Sequence, residues 1–290
     1  MFSPLHAPPR RIATRLYATL PPVLRRHTRT AWADANRPGH IVDCFLESPC
    51  FTPDGALLVV DIPHGRILRI DNGVWSEHAT WEGEPNGLKR HPDGRLLIAD
   101  YRLGLLALPG PSPLLARRNA ESFKGLNDLA ISADGTIYFT DQGQTGLHDP
   151  TGRVYRLSPN GKLDLLLANG PSPNGLALTP DEKVLFVAMT RDNAVWRLPL
   201  LPDGSTSKVG RFAQFWGTSG PDGLATDWAG NLYVCHASLG CVFVLAPQGH
   251  CTAIIESCAG PTVTNLAFTP DGKSVVITDS STGAVLIADL

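Results

Sequence analysis

The sequence predicts an all-β fold, a six-bladed β-propeller closed on itself by an N-terminal strand, and three observations carry that prediction. A phrase typified by Pro173-Asn174-Gly175-Leu176-Ala177-Leu178-Thr179-Pro180-Asp181 recurs six times, with heads at Glu47, Asn86, Asn127, Asn174, Asp222 and Thr264. The intervals between heads, 39, 41, 47, 48 and 42 residues, suit one four-stranded blade per copy. Each copy continues into short apolar alternations bounded by turn residues, with no helical spacing.

Taken in chain order, residues 1–37 form a basic extension, with Arg10, Arg11, Arg15, Arg25, Arg26 and Arg29 and no acidic side chain before Asp34. It lacks the apolar run of a secretory signal. Its composition fits a transit peptide or an arm packed across the outside of the ring, and the arm is the reading carried forward. Residues 38–290 are expected to be the propeller, a single domain. Residues 40–45 precede the first head much as residues 163–167 precede Asn174. Because the chain stops at Leu290, directly after the third strand of the last copy, residues 40–45 are predicted to supply that blade's outer strand.

Within each copy an Asp seven residues beyond the head, at Asp54, Asp93, Asp134, Asp181 and Asp271, marks the turn into the second strand. Second strands are predicted over 57–60, 96–99, 137–140, 184–187, 232–235 and 275–277. Third strands follow over 65–70, 105–108, 153–157, 194–198, 241–245 and 284–288. Arg66, Arg69, Arg153, Arg156 and Arg197 alternate with apolar residues there, so they are expected to face solvent or bridge blades.

Charged residues are 18% of the chain and the formal net charge is -2, which gives no field for a nucleic acid or a membrane surface. The expected partner is a small molecule, bound by a monomer or small homo-oligomer. Six cysteines lie mostly within strand patterns, without zinc-ligand spacing, and are read as buried free thiols. No apolar stretch reaches the length of a spanning helix, and a cytoplasmic location is expected. A nucleophile elbow, a phosphate loop and a dinucleotide-binding glycine pattern are all missing from the sequence.

In a propeller the first strand of each blade lines the channel, so the six heads converge at its mouth. Two carboxylates and several amide oxygens aimed at one point form an oxygen-only site. That chemistry suits calcium first, then magnesium or manganese, with zinc a further candidate. Without a cation, Glu47 and Asp222 would repel each other. Asn-Gly and Asp-Gly are also turn dipeptides, which offers another reading of Asn86, Asn174 and Asp222. Turn chemistry does not explain Glu47, which precedes no glycine, or Asn127, which precedes Asp128. The metal reading therefore rests on Glu47, Asn127, Asn174 and Asp222.

The phrases Leu46-Glu47-Ser48-Pro49, Leu126-Asn127-Asp128, Ser172-Pro173-Asn174-Gly175-Leu176 and Gly220-Pro221-Asp222-Gly223-Leu224 resemble those of the senescence-marker protein/gluconolactonase family, which includes regucalcin. The resemblance implies a divalent-metal-dependent hydrolase, a lactonase opening a sugar or other small lactone. It places Glu47, Asn174 and Asp222 on the metal, with Asn127 a direct or water-bridged ligand and Asp222 the acid/base group. Asp128 is a candidate for orienting substrate or water, and His236 for proton transfer. Two other readings use the same site: a phosphotriesterase- or arylesterase-like hydrolase, and a calcium- or ligand-binding propeller without catalysis. Sugar-lactone members carry an Arg two residues before the Asn that corresponds to Asn127, where this chain has Gly125 with Lys124 beside it. Phe215, Trp216 and Met189 are expected to make the pocket more apolar, which favours a non-sugar lactone or ester.

Overall fold

The computed structural model describes residues 7–290. Its inner strands are Leu46–Phe51, Pro85–Arg90, Leu126–Ile131, Pro173–Leu178, Pro221–Thr226 and Val263–Phe268, and each heads one antiparallel sheet of a six-bladed propeller. Every inner strand touches the next, and Val263–Phe268 touches Leu46–Phe51, which closes the ring. The second strands are buried nearly throughout, as in Leu57–Asp61 and Leu232–His236, because side chains on both sheet faces meet a neighbouring blade. Ala177, Phe186, Phe215, Leu224, Val234 and Phe243 fill the space between blades four and five. Leu46, Leu57, Leu68, Val276 and Val285 fill that between blades one and six.

The closing strand differs from the one expected. Arg15–Thr19 pairs antiparallel with Ala284–Asp289 and completes blade six, while Arg10–Ala13 pairs parallel with Cys251–Glu256 and gives blade five a fifth strand. Residues 40–45 form no strand until Phe45 gives way to Leu46. The reason is reach. An outer strand lies three strand spacings, roughly 14 Å, from the channel, and residues 40–45 abut the inner strand Leu46–Phe51 with nothing between to cross the blade. Elsewhere, residues 81–84 and 257–262 make that crossing.

Residues 20–45 make it here. Arg25 bonds Asp43 at 3.0 Å and the Thr282 carbonyl at 2.7 Å, and Arg26 bonds Glu77 at 2.8 Å. A short helix, Ala31–Asn36, follows, its Thr30 hydroxyl accepting from the Ala33 amide. Trp32 and Ala33 bury against blade one, so the helix lies over the channel mouth. Arg66, expected to face solvent or bridge blades, is fully buried instead. Its guanidinium donates to Asp61 and Glu77, each at 2.8 Å, and to the Leu24 carbonyl, tying the arm to blade one. All six cysteines are free; five are buried and Cys258 is exposed.

Candidate active site

Each head is the second residue of its inner strand, and in all six blades the pairing with the second strand slips within that strand near the head. Such a bulge re-aims the side chain, here toward the channel axis. The glycines after three heads have a different task from turning the chain. A Cβ on Gly87 would lie 2.8 Å from the Asp128 Cα, and one on Gly175 would lie 2.4 Å from the Asp222 carbonyl oxygen. On Gly223 it would lie 2.4 Å from the Asn265 Cγ. These glycines let neighbouring inner strands approach closely, and none has the positive φ of a turn.

The heads Glu47, Asn86, Asn127, Asn174 and Asp222 all line one cavity of about 160 Å³. Thr264 does not. It is buried, with its hydroxyl bonded to the Leu46 carbonyl at 3.0 Å and to the Thr278 and Ser280 hydroxyls. Glu47 Oε2 accepts from the Ser48 amide at 2.7 Å and from Asn265 Nδ2 at 2.8 Å, while no hydrogen bond engages Oε1 among the described residues. Asn127 commits its Nδ2 to Gln142 Oε1 at 2.9 Å, which leaves its Oδ1 as a free acceptor.

Beneath the heads lies a second ring, formed by the residue that follows each of them. Three are the glycines just described, and the others are Ser48, Asp128 and Asn265. Asn265 Nδ2 also reaches Ser48 Oγ and Asp128 Oδ2, each at 3.3 Å. Asp128 is fully buried and absent from the cavity wall, so it lies below the site and does not face a ligand. Asn265 was not singled out in the sequence. The signal was present, since Asn265 follows its head just as Asp128 follows Asn127.

Burial and crowding dominate the electrostatics. Glu47 is pushed up to about 7, first by burial and then by Asp128, with Asn265 and the Ser48 amide opposing. Asp222 is raised well above the usual carboxylate range by burial, then by Glu47 and Asp128. Asp128 is raised by burial. Three carboxyls thus share a space that favours their neutral forms, an arrangement a cation would reverse. The donor set fits a hard divalent ion. Among the described residues no three of His, Cys, Asp or Glu converge as a metal cluster, so such an ion would need the amide oxygens of Asn127 and Asn174 as well.

His236 is fully buried and does not line the cavity. Its ring sits 6.0 Å from Phe215 and 6.2 Å from Phe243, and burial pushes its pKa down to about 4, with only the Trp216 backbone opposing. Both ring nitrogens are buried, and the ring does not anchor the entering loop as the aspartates at the same position do. Asp61, Asp100, Asp141 and Asp279 stand at the same strand end, where each accepts a backbone N–H from the loop that enters its blade.

The aromatics expected in the wall are elsewhere. Phe215 and Met189 are core residues, and Trp216 packs on Phe243 outside the cavity. Trp32, Phe45, Ile62 and Tyr101 line it instead. Tyr101 explains the glycine at 125, where φ is +150° and a Cβ would fall 2.4 Å from the tyrosine ring. An arginine there would have to displace Tyr101. Lys124 points away and bonds the Thr151 hydroxyl at 2.9 Å.

Residues 45–281 match the family model described as the SMP-30/gluconolactonase/LRE-like region. The chain belongs to that family. A gluconolactonase of Zymomonas mobilis is 32% identical over 255 residues, which cover 79% of this chain and 69% of that protein. A lactonase, drp35, of Staphylococcus epidermidis is 30% identical over 224 residues, covering 71% of this chain and 67% of that one. A solved gluconolactonase structure from Xanthomonas campestris superposes with a TM-score of 0.76 at 23% identity, covering 85% and 86% of the two chains, and shares the fold. Among the described residues no helix is long and apolar enough to cross a membrane.

Proposed function

We propose that this protein is a divalent-cation-dependent lactonase, with calcium the favoured ion. One observation carries the reading: Glu47, Asn127, Asn174 and Asp222, from four different blades, meet in the wall of a single cavity in a chain related to lactonases. Those four side chains would hold the ion, which when bound would polarise the carbonyl of a lactone or ester.

The chain's own residues supply the rest. Asp222 takes a proton from the attacking water as the water oxygen bonds to the carbonyl carbon. The ring C–O bond then breaks, and the same proton returns to the departing alkoxide to give the hydroxy acid. Asp222 can act as a base only when ionised; Glu47 and Asp128 oppose that, Asn174 and Arg191 favour it, and a bound cation would favour it further. Asn265 positions Glu47 by holding Oε2, so that Oε1 faces the cavity. Asp128 acts through the same amide and touches no ligand. His236, walled off from the cavity, takes no part in proton transfer.

The test is hydrolysis of sugar lactones, aliphatic lactones, aryl esters and phosphotriesters by the calcium-loaded protein and by Asp222→Asn. The expected result is turnover of lactones and a loss on the order of a thousandfold in the variant. Preference for phosphotriesters would replace the lactonase reading, and turnover unaffected by the substitution would remove Asp222 from the reaction.

A further inference from the structure

The cavity carries positive charge to which the reaction above gives no substrate contact, although Arg191 also partly offsets the raised pKa of Asp222. Arg37, directly after the helix Ala31–Asn36, and Arg191, in the 3-10 turn Thr190–Asp192 of blade four, both line it. Neither guanidinium makes an ion pair or a side-chain hydrogen bond among the described residues. The nearest acids along the chain are committed elsewhere: Asp34 to Arg29 at 2.8 Å, and Asp192 to Arg211 at 2.8 Å and to the Trp196 indole at 2.9 Å. Arg37 rests over the Phe45 ring, 6.0 Å from its centre, a contact that holds its charge at the mouth without neutralising it.

The cavity is therefore polarised. Carboxylates and amide oxygens form its floor, and two guanidiniums that make no ion pair among the described residues, from distant parts of the chain, stand on its wall. Arginine presents a planar fork of donors that matches an oxyanion better than a hydroxyl. We propose that Arg37 and Arg191 form an oxyanion-binding rim, and that the preferred ligand carries a carboxylate or phosphate remote from the carbonyl that faces the floor. That the ligand is a lactone or ester rests on the function proposed above; the rim does not. Arg37 belongs to the N-terminal arm, so the segment that threads from the closing strand to blade one is also part of the binding site. Selectivity follows from the polarity, since a ligand charged at one end can enter in only one orientation.

The deciding experiment is calorimetric titration of the calcium-loaded full-length protein with inert δ-lactams that differ in one substituent: a carboxylate, a phosphate or a primary amide. The charged ligands are expected to bind about tenfold more tightly than the amide. Arg37→Gln and Arg191→Gln should each remove most of that preference while leaving the amide affinity and the melting temperature unchanged. Added salt should erode the preference in the wild type. The better of the two charged ligands identifies the oxyanion. Equal affinity for charged and neutral ligands, or a preference untouched by both substitutions, would overturn the rim. Turnover of the matching lactones is measured separately: if none is hydrolysed, the lactonase reading falls while the binding ratio still decides the rim.

Discussion

Glu47 and Asp222, which are proposed to hold the cation, face one cavity with Asp128 behind them, Glu47 buried and Asp222 partly exposed. Their raised pKa values make the cation-free protein sensitive to pH in a definite direction. A carboxyl that binds its proton more tightly when folded contributes stability that is complete below its ordinary value near 4.5 and is lost as pH rises through about 7. The lowered histidines, His64 and His236, act oppositely, adding stability as pH rises until their unfolded forms are neutral, about one unit above pH 6.5. The melting temperature of chelator-treated protein, taken relative to the calcium-loaded protein so that the histidines cancel, is therefore expected to fall as pH rises from about 4.5 to about 7. A difference between the two forms that does not change with pH would mean that the carboxyls do not crowd one another as described. That Glu47, Asn127, Asn174 and Asp222 share one cavity was legible in the sequence because the repeat puts equivalent positions on one axis. Asn265 was not, because its contribution is a hydrogen bond to Glu47 from the blade on the far side of the ring closure, 218 residues away. The candidate role of His236 rests on its place at a strand end, a position that in four other blades is an aspartate bonded to the entering loop, and the ring does not line the cavity.

Among the elements, the recurring aspartate at the end of the second strand fixes four of the six blades to their entering loops. Asp100 is the fullest case, accepting from the Glu84, Arg102 and Leu103 amides and from the Trp81 indole, all at 2.8 to 3.0 Å. Asp100→Ala would leave four donors without their acceptor, one of them, the Glu84 amide, buried. A loss of about 3 kcal/mol or more is expected, measured by denaturant unfolding. Loss of under about 1 kcal/mol would show that the loop repairs itself with solvent. Strand positions were readable from their alternation and from the Asp that marks each turn. The closing strand was not, because a pattern of apolar residues says nothing of distance. Residues 40–45 have a strand-like composition, yet they stand too close in sequence to the inner strand of blade one to reach an outer edge.

At the scale of the whole molecule, the N-terminal arm joins closure and binding. Arg15–Thr19 seals the ring, Arg25 and Arg26 pin the path inward, and the helix Ala31–Asn36 ends at the cavity. Removing residues 1–19 would expose the edge of Ala284–Asp289. The melting temperature should fall by about 10 °C, with association that grows with protein concentration. Removing residues 1–13 spares the closing strand and should cost far less. Equal melting temperatures for all three proteins would contradict closure by the arm. The most direct test of the central claim is lactone hydrolysis by chelator-stripped protein as calcium is titrated back, in the wild type and in Glu47→Gln. The account predicts no turnover without a divalent ion, saturable recovery in the wild type, and recovery shifted to calcium concentrations higher by at least about tenfold in the variant. Full turnover in the stripped protein, or identical titrations for the two, would contradict it.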